Sequence, residues 1–306
     1  MRIRHGIAFL CLAALSLGLL GCAEPSARPA TAPSITDESA LTADVWNDGQ
    51  AEVAFYRVQR SRDQYGNENP QAFLVGSYLV KHRFSPEEMT KTTDGSGVSS
   101  FKYSLFYELE SGSYQYKRNW VVNARQTDLR PYKQSFSSFD WCSNQYREMA
   151  FSPDGPIEVR MRSDDYGNRR TSFEPRPQAY PPAQIPLLIR GLDLSGDTLS
   201  FSVAVADSSS FVPAEAIVQG RDSVETEAGR FAAERIDVTY EAPVRSPIAE
   251  RTARTETYWV GTTPQRRLLR VEGGDERYVM SLVEHLRTPY WKENIWDNLD
   301  RVDERP

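Results

Sequence analysis

Residues 100–109 read Ser-Phe-Lys-Tyr-Ser-Leu-Phe-Tyr-Glu-Leu, and their spacing decides the fold class. Phe101, Tyr103, Leu105, Tyr107 and Leu109 share one parity, while Lys102, Ser104 and Glu108 share the other, with Phe106 as the exception. A period of two is the pattern of an extended strand that buries one face, as in an antiparallel sheet. Residues 198–205, Thr-Leu-Ser-Phe-Ser-Val-Ala-Val, repeat it without an exception. Outward from these two stretches, similar segments lie near 51–60, 71–82, 114–124, 132–139, 144–151, 157–163, 214–225, 230–240, 253–261, 266–272 and 277–286.

Turn chemistry separates them. Asp63-Gln-Tyr-Gly-Asn67 and Asp164-Asp-Tyr-Gly-Asn168 are near copies, and Gly and Asn tolerate the positive φ that tight hairpins need. Both read as hairpin tips. Five prolines within residues 175–186 exclude helix and central strand there. Leu187 to Gly191 then reads as a short helix with a glycine stop. The expected fold is mainly β, a highly curved antiparallel sheet or incomplete barrel, with one short helix after a proline-rich crossover. Residues 45–174 form its first half, 175–191 the crossover, and 192–306 the second half with a tail whose Trp291 and Trp296 pack back onto the body.

The N-terminus carries an address. Arg2 and Arg4 precede an apolar run from Ile7 to Leu20, shorter than a membrane span and laid out as a secretory signal. It ends Leu19-Leu20-Gly21-Cys22, which resembles the lipobox of bacterial lipoproteins. That resemblance implies a signal at 1–21, lipidation of Cys22 and anchoring to a membrane through the acyl chains. By the sorting habit of some lipoproteins, the resemblance with Ala23 rather than aspartate after the cysteine implies the outer membrane, facing the periplasm. Residues 22–44, rich in Pro, Ala, Ser and Thr, read as a flexible tether able to reach about 65 Å.

Composition narrows the partners. The chain has 36 basic and 42 acidic residues, a net charge of −6, and loss of Arg2 and Arg4 with the signal takes it to −8. The balance is acidic and the arginines are scattered, which argues against nucleic acid or an anionic lipid face as a partner. Cys11 leaves with the signal and Cys22 takes the lipid, so Cys142 has no partner in the chain and reads as a buried filler.

Two further stretches carry a resemblance. Val224 to Ala233, which contains Ala228-Gly-Arg-Phe231, and the Tyr258-Trp-Val-Gly261 strand are similar to an uncharacterised family of exported bacterial β-sheet proteins. Ala51 to Arg57, with Asp140-Trp-Cys142, resembles bacterial lipoproteins that carry Glu-Trp-Cys at the second site. Some relatives bear the automated label septum formation inhibitor Maf, whose namesake is a cytosolic α/β enzyme, and nothing in this chain reads as α/β. The resemblance implies a half-barrel reminiscent of outer-membrane lipoprotein carriers and no catalytic residues.

The chain offers no standard catalytic signature. It has no His-Glu-x-x-His, paired-cysteine or EF-hand spacing for a metal, no Gly-x-Ser-x-Gly and no phosphate-binding glycine loop. His82 and His285 stand outside any motif. The expectation is a non-enzymatic protein without a cofactor. Tyr103, Tyr107, Tyr114, Tyr116 and Trp120, on neighbouring strands, are the candidate lining of a concave cleft for an acyl chain or another hydrophobic ligand, or for an envelope protein. The alternatives are a periplasmic hydrolase of envelope glycan or lipid, and a structural assembly factor without a small ligand.

Overall fold

The alternating segments are strands of one antiparallel sheet. The computed structural model describes residues 34–62, 67–111, 114–141, 143–196, 198–249, 252–274 and 277–294, excepting the side chains of Ser111 and Tyr114. The first arm holds β1 (Ala51–Arg62), β2 (Glu68–Ser85), the short β3 (Thr90–Lys91), β4 (Val98–Ser111), β5 (Tyr114–Arg125), β6 (Pro131–Phe139), β7 (Asn144–Phe151), β8 (Ile157–Ser163) and β9 (Arg169–Phe173). The second holds β10 (Ala179–Tyr180), β11 (Thr198–Val205), β12 (Ser210–Thr226), β13 (Gly229–Tyr240), β14 (Thr255–Gly261), β15 (Leu268–Gly273) and β16 (Tyr278–Thr288). Each arm is a meander, and pairing of β16 with β1 fuses them into one sheet. All pairs are antiparallel except the two-residue β10, which runs parallel to β11.

Among the described residues the end strands β9 and β10 do not pair, so the sheet is not closed into a full barrel. Side chains bridge the gap instead. Phe173 meets Phe211 edge-on at 5.1 Å, the hydroxyls of Thr171 and Ser209 lie 2.9 Å apart, and Arg147 pairs with Asp207 at 2.8 Å. Met149, Phe151, Ile157 and Val159 pack against Ala204 beneath them.

The helix α2 (Ile185–Gly191) follows the proline-rich crossover and is buried along its whole length. Pro186 sits in its first turn, where a backbone N–H has no helical partner to lose. Seven residues make a poor isolated helix. Burial of Leu187, Leu188 and Ile189, at about 1.5–3 kcal/mol each, offsets that weakness. Gly191 serves close packing, because a Cβ there would fall 2.5 Å from Leu129 Cδ1 and 3.0 Å from Leu41 Cδ2.

The packed body starts before Val45, inside the stretch expected to be a free tether. Ile35 and Leu41 are buried, and Thr36 bridges to Leu192. The short helix α1 (Glu38–Thr42) is capped by Asp37, which accepts from the backbone N–H groups of Ser39 and Ala40. Asp37 also pairs with Arg266 at 2.5 Å. A single leucine among small polar residues carries too little periodicity to mark such a turn.

Phe106 explains its own break in the alternation. It lies on the outer face across Gly76, where a Cβ would meet its ring at 2.4 Å. With Tyr78, Leu286 and Tyr290 it packs against Val53 and Phe55, a second small core under the C-terminal segment. Residues 51–56 of β1 are consequently buried on both faces. Tyr290 stacks on Tyr78 at 4.9 Å, while Trp291 is 52% exposed and Trp296 lies outside the described residues.

Candidate functional site

The β4–β5 hairpin sets the register of the candidate aromatic residues. Leu109 pairs with Tyr116, Tyr107 with Arg118, Leu105 with Trp120 and Tyr103 with Val122, so these side chains share the inner face. Phe73 and Tyr107 are 4.8 Å apart, Tyr107 and Trp120 5.6 Å, and Trp120 and Phe136 4.7 Å, a continuous aromatic row across four strands. Tyr103, Tyr107 and Trp120 are buried in the main core, and burial holds the Tyr103 hydroxyl well above its usual pKa. Tyr116 is partly buried against that core, with the Arg118 guanidinium 5.7 Å from its ring. The backbone of Tyr114 opens β5, and its side chain lies outside the described residues, as do Cys22 and Cys142.

Among the described residues the inner face carries the main core. Its recess beside Tyr240 and Glu256 has a volume of about 20 Å³, and that between Trp120, Phe136 and Pro182 about 50 Å³. Either holds a water or two, and neither holds an acyl chain.

Two carboxylates are sealed in this interior. Glu52 on β1 lies 2.9 Å from Arg190 of α2, which also donates to the carbonyls of Gln265 and Arg266 at 2.9 Å each. Glu256 on β14 accepts from the hydroxyls of Tyr240 at 2.5 Å, Tyr258 at 2.6 Å and Tyr278. Burial pushes the Glu256 carboxyl above the usual carboxylate range, against three tyrosine hydrogen bonds that act to lower it. Neither acid faces an open surface, so these clusters organise the core.

The histidines are likewise withdrawn. Burial, then the charges of Lys102 and Lys91, lowers His82 to about 4, and burial followed by Arg267 lowers His285. Both are neutral near pH 7. Among the described residues no three His, Cys, Asp or Glu side chains gather as a metal site, and no helix is long and apolar enough to cross a membrane.

A much larger recess is on the outer face. A solvent-open groove of about 1160 Å³ runs over β2, β4, β5 and β6. Tyr78, Phe106 and Phe139 supply aromatic surface, and Tyr290 with Glu293 forms one wall. Glu108 accepts from Lys117 at 2.7 Å and from Gln115 at 3.1 Å on its polar side. Of the sequence candidates, Tyr107 borders it. The one sequence signal for this groove was Phe106, the apolar residue on the polar parity of its strand.

No family model matches the chain, and no curated protein matches it. Among solved structures, it is similar to the beta-barrel-like protein of domain of unknown function DUF1849 from Brucella abortus. That match has 10% identity and a TM-score of 0.49, and covers 78% of this chain and 97% of that one. It is also similar to a putative exported protein with a YmcC-like fold from Bacteroides fragilis, at 9% identity and a TM-score of 0.22, covering 77% and 95% of the two chains.

Proposed function

We propose that the chain is a non-catalytic envelope lipoprotein, held to a membrane through Cys22, that binds a hydrophobic ligand or an envelope partner along its outer groove. The observation that carries this reading is the groove itself. Its volume of about 1160 Å³ lies at or above the upper end of small-molecule pockets, about 300–1,000 Å³, and suits an elongated acyl chain or an extended peptide. Aromatic rings line it while the Glu108–Lys117 pair stays at hand for a polar head. The filled interior leaves less room for the same ligand on the concave side.

Native mass spectrometry of the protein purified from its own envelope tests both parts. The expected result is a chain mass raised by a covalent lipid, together with a hydrophobic molecule released only on denaturation. A bare chain that also ignores a fluorescent fatty acid contradicts the proposal.

A further inference from the structure

Exposed aromatic residues concentrate at one corner of the sheet. Trp141 is 75% exposed in the β6–β7 turn, Tyr166 is 61% exposed in the β8–β9 turn, and Phe139 and Tyr146 flank them on the adjoining strands. Turn tips are normally polar, and grouped large apolar side chains on a surface mark a contact site.

The two turns are braced against each other. Ser143 Oγ donates to Asp165 Oδ2 at 2.5 Å, and the backbone N–H of Asn144 donates to Asp164 Oδ2 at 2.8 Å. Asp140 accepts from the Ser143 N–H at 2.9 Å, and Ser163 Oγ accepts from the N–H groups of Asp165 and Tyr166. Every acid of this corner thus has a carboxylate oxygen engaged within the turns, and the rings project. Beside them Arg162, opposite Tyr146, and Arg169, at the start of β9, are exposed and without an ion pair among the described residues.

We propose that this corner docks on the headgroup layer of a lipid bilayer, with Trp141 and Tyr166 entering the interface and Arg162 and Arg169 meeting phosphate oxygens. Tryptophan and tyrosine favour that layer because an apolar ring and a polar N–H or O–H are both satisfied there. Arginine matches phosphate as a planar, multidentate donor. The shape also fits, since projecting tips enter a soft layer, whereas a protein partner is gripped better by a recess. The net charge of −8 after loss of the signal opposes long-range attraction to anionic lipid, so the contact is short-ranged and local. By chain length alone, an anchor at Cys22 would hold Ser34 within about 40 Å of a bilayer. The docking does not depend on the groove holding a ligand.

The test is quenching of tryptophan emission in the natural full chain mixed with phosphatidylethanolamine–phosphatidylglycerol vesicles that carry brominated acyl chains. The expected result is quenching that falls by roughly half or more in Trp141→Phe, and falls again in the Arg162→Glu/Arg169→Glu variant. These side chains are exposed, so the variants should melt like the natural protein. Equal quenching in the natural chain and Trp141→Phe overturns the proposal. So does a Trp141 emission unmoved by vesicles but shifted by a soluble acidic peptide or glycan.

Discussion

The guanidinium of Arg190 lies 2.9 Å from the carboxylate of Glu52, and each side chain is at most 5% exposed. This pair ties the helix that fills the sheet to the strand that joins its two arms. Removing one charge leaves the other buried, with Arg267 Nε at 3.9 Å as its nearest remaining cation. Arg190→Met should therefore cost about 3–5 kcal/mol. Glu52→Gln combined with Arg190→Met should recover part of that loss. Urea unfolding of the three proteins checks this, and a double variant no more stable than Arg190→Met speaks against the pairing.

Glu256 makes stability depend on pH. Its carboxyl is raised above the usual 4.5 by burial, so the folded protein binds that proton more tightly than the unfolded chain does. Its contribution is full below 4.5 and declines as pH rises from there through the raised folded value. Glu256→Gln retains an acceptor for the tyrosines and cannot ionise. Relative to that variant, the natural protein should lose stability as pH rises from 4.5 through the raised folded value. Parallel urea midpoints across this range would argue that the carboxyl does not titrate abnormally.

Gly76 and Phe106 form one unit on the outer face. In Gly76→Ala the new Cβ meets the Phe106 ring at 2.4 Å, so the ring must move, at a cost of about 1–3 kcal/mol. In a Phe106→Ala background the same change should cost much less, a non-additivity that a double-mutant cycle measures. Additive costs would show that the ring does not lie across the glycine.

Strand positions were legible because alternation in stretches such as 100–109 and 198–205 survives the loss of all tertiary context. The short helix was legible too, through the prolines and Gly191. Other features were not. The polar Arg169–Phe173 edge strand has no alternation to detect, and α1 rests on one leucine. Parity places Tyr103, Tyr107 and Trp120 on one face but says nothing of what covers that face. Here α2, distant in sequence, fills the space. The outer groove depends on chain segments far apart, with Tyr290 lying over strands two hundred residues earlier, and Phe106 was its only local trace.

The central claim, that the ligand lies in the outer groove, is tested most directly by fatty-acid probe affinity in two variants. Ser137→Trp places a large ring in the groove from an exposed position, and Tyr103→Phe removes one hydroxyl from the packed interior. The account expects Ser137→Trp to weaken binding tenfold or more, about 1.4 kcal/mol, and Tyr103→Phe to leave it unchanged. Binding that survives Ser137→Trp and is lost in a folded Tyr103→Phe protein would contradict it.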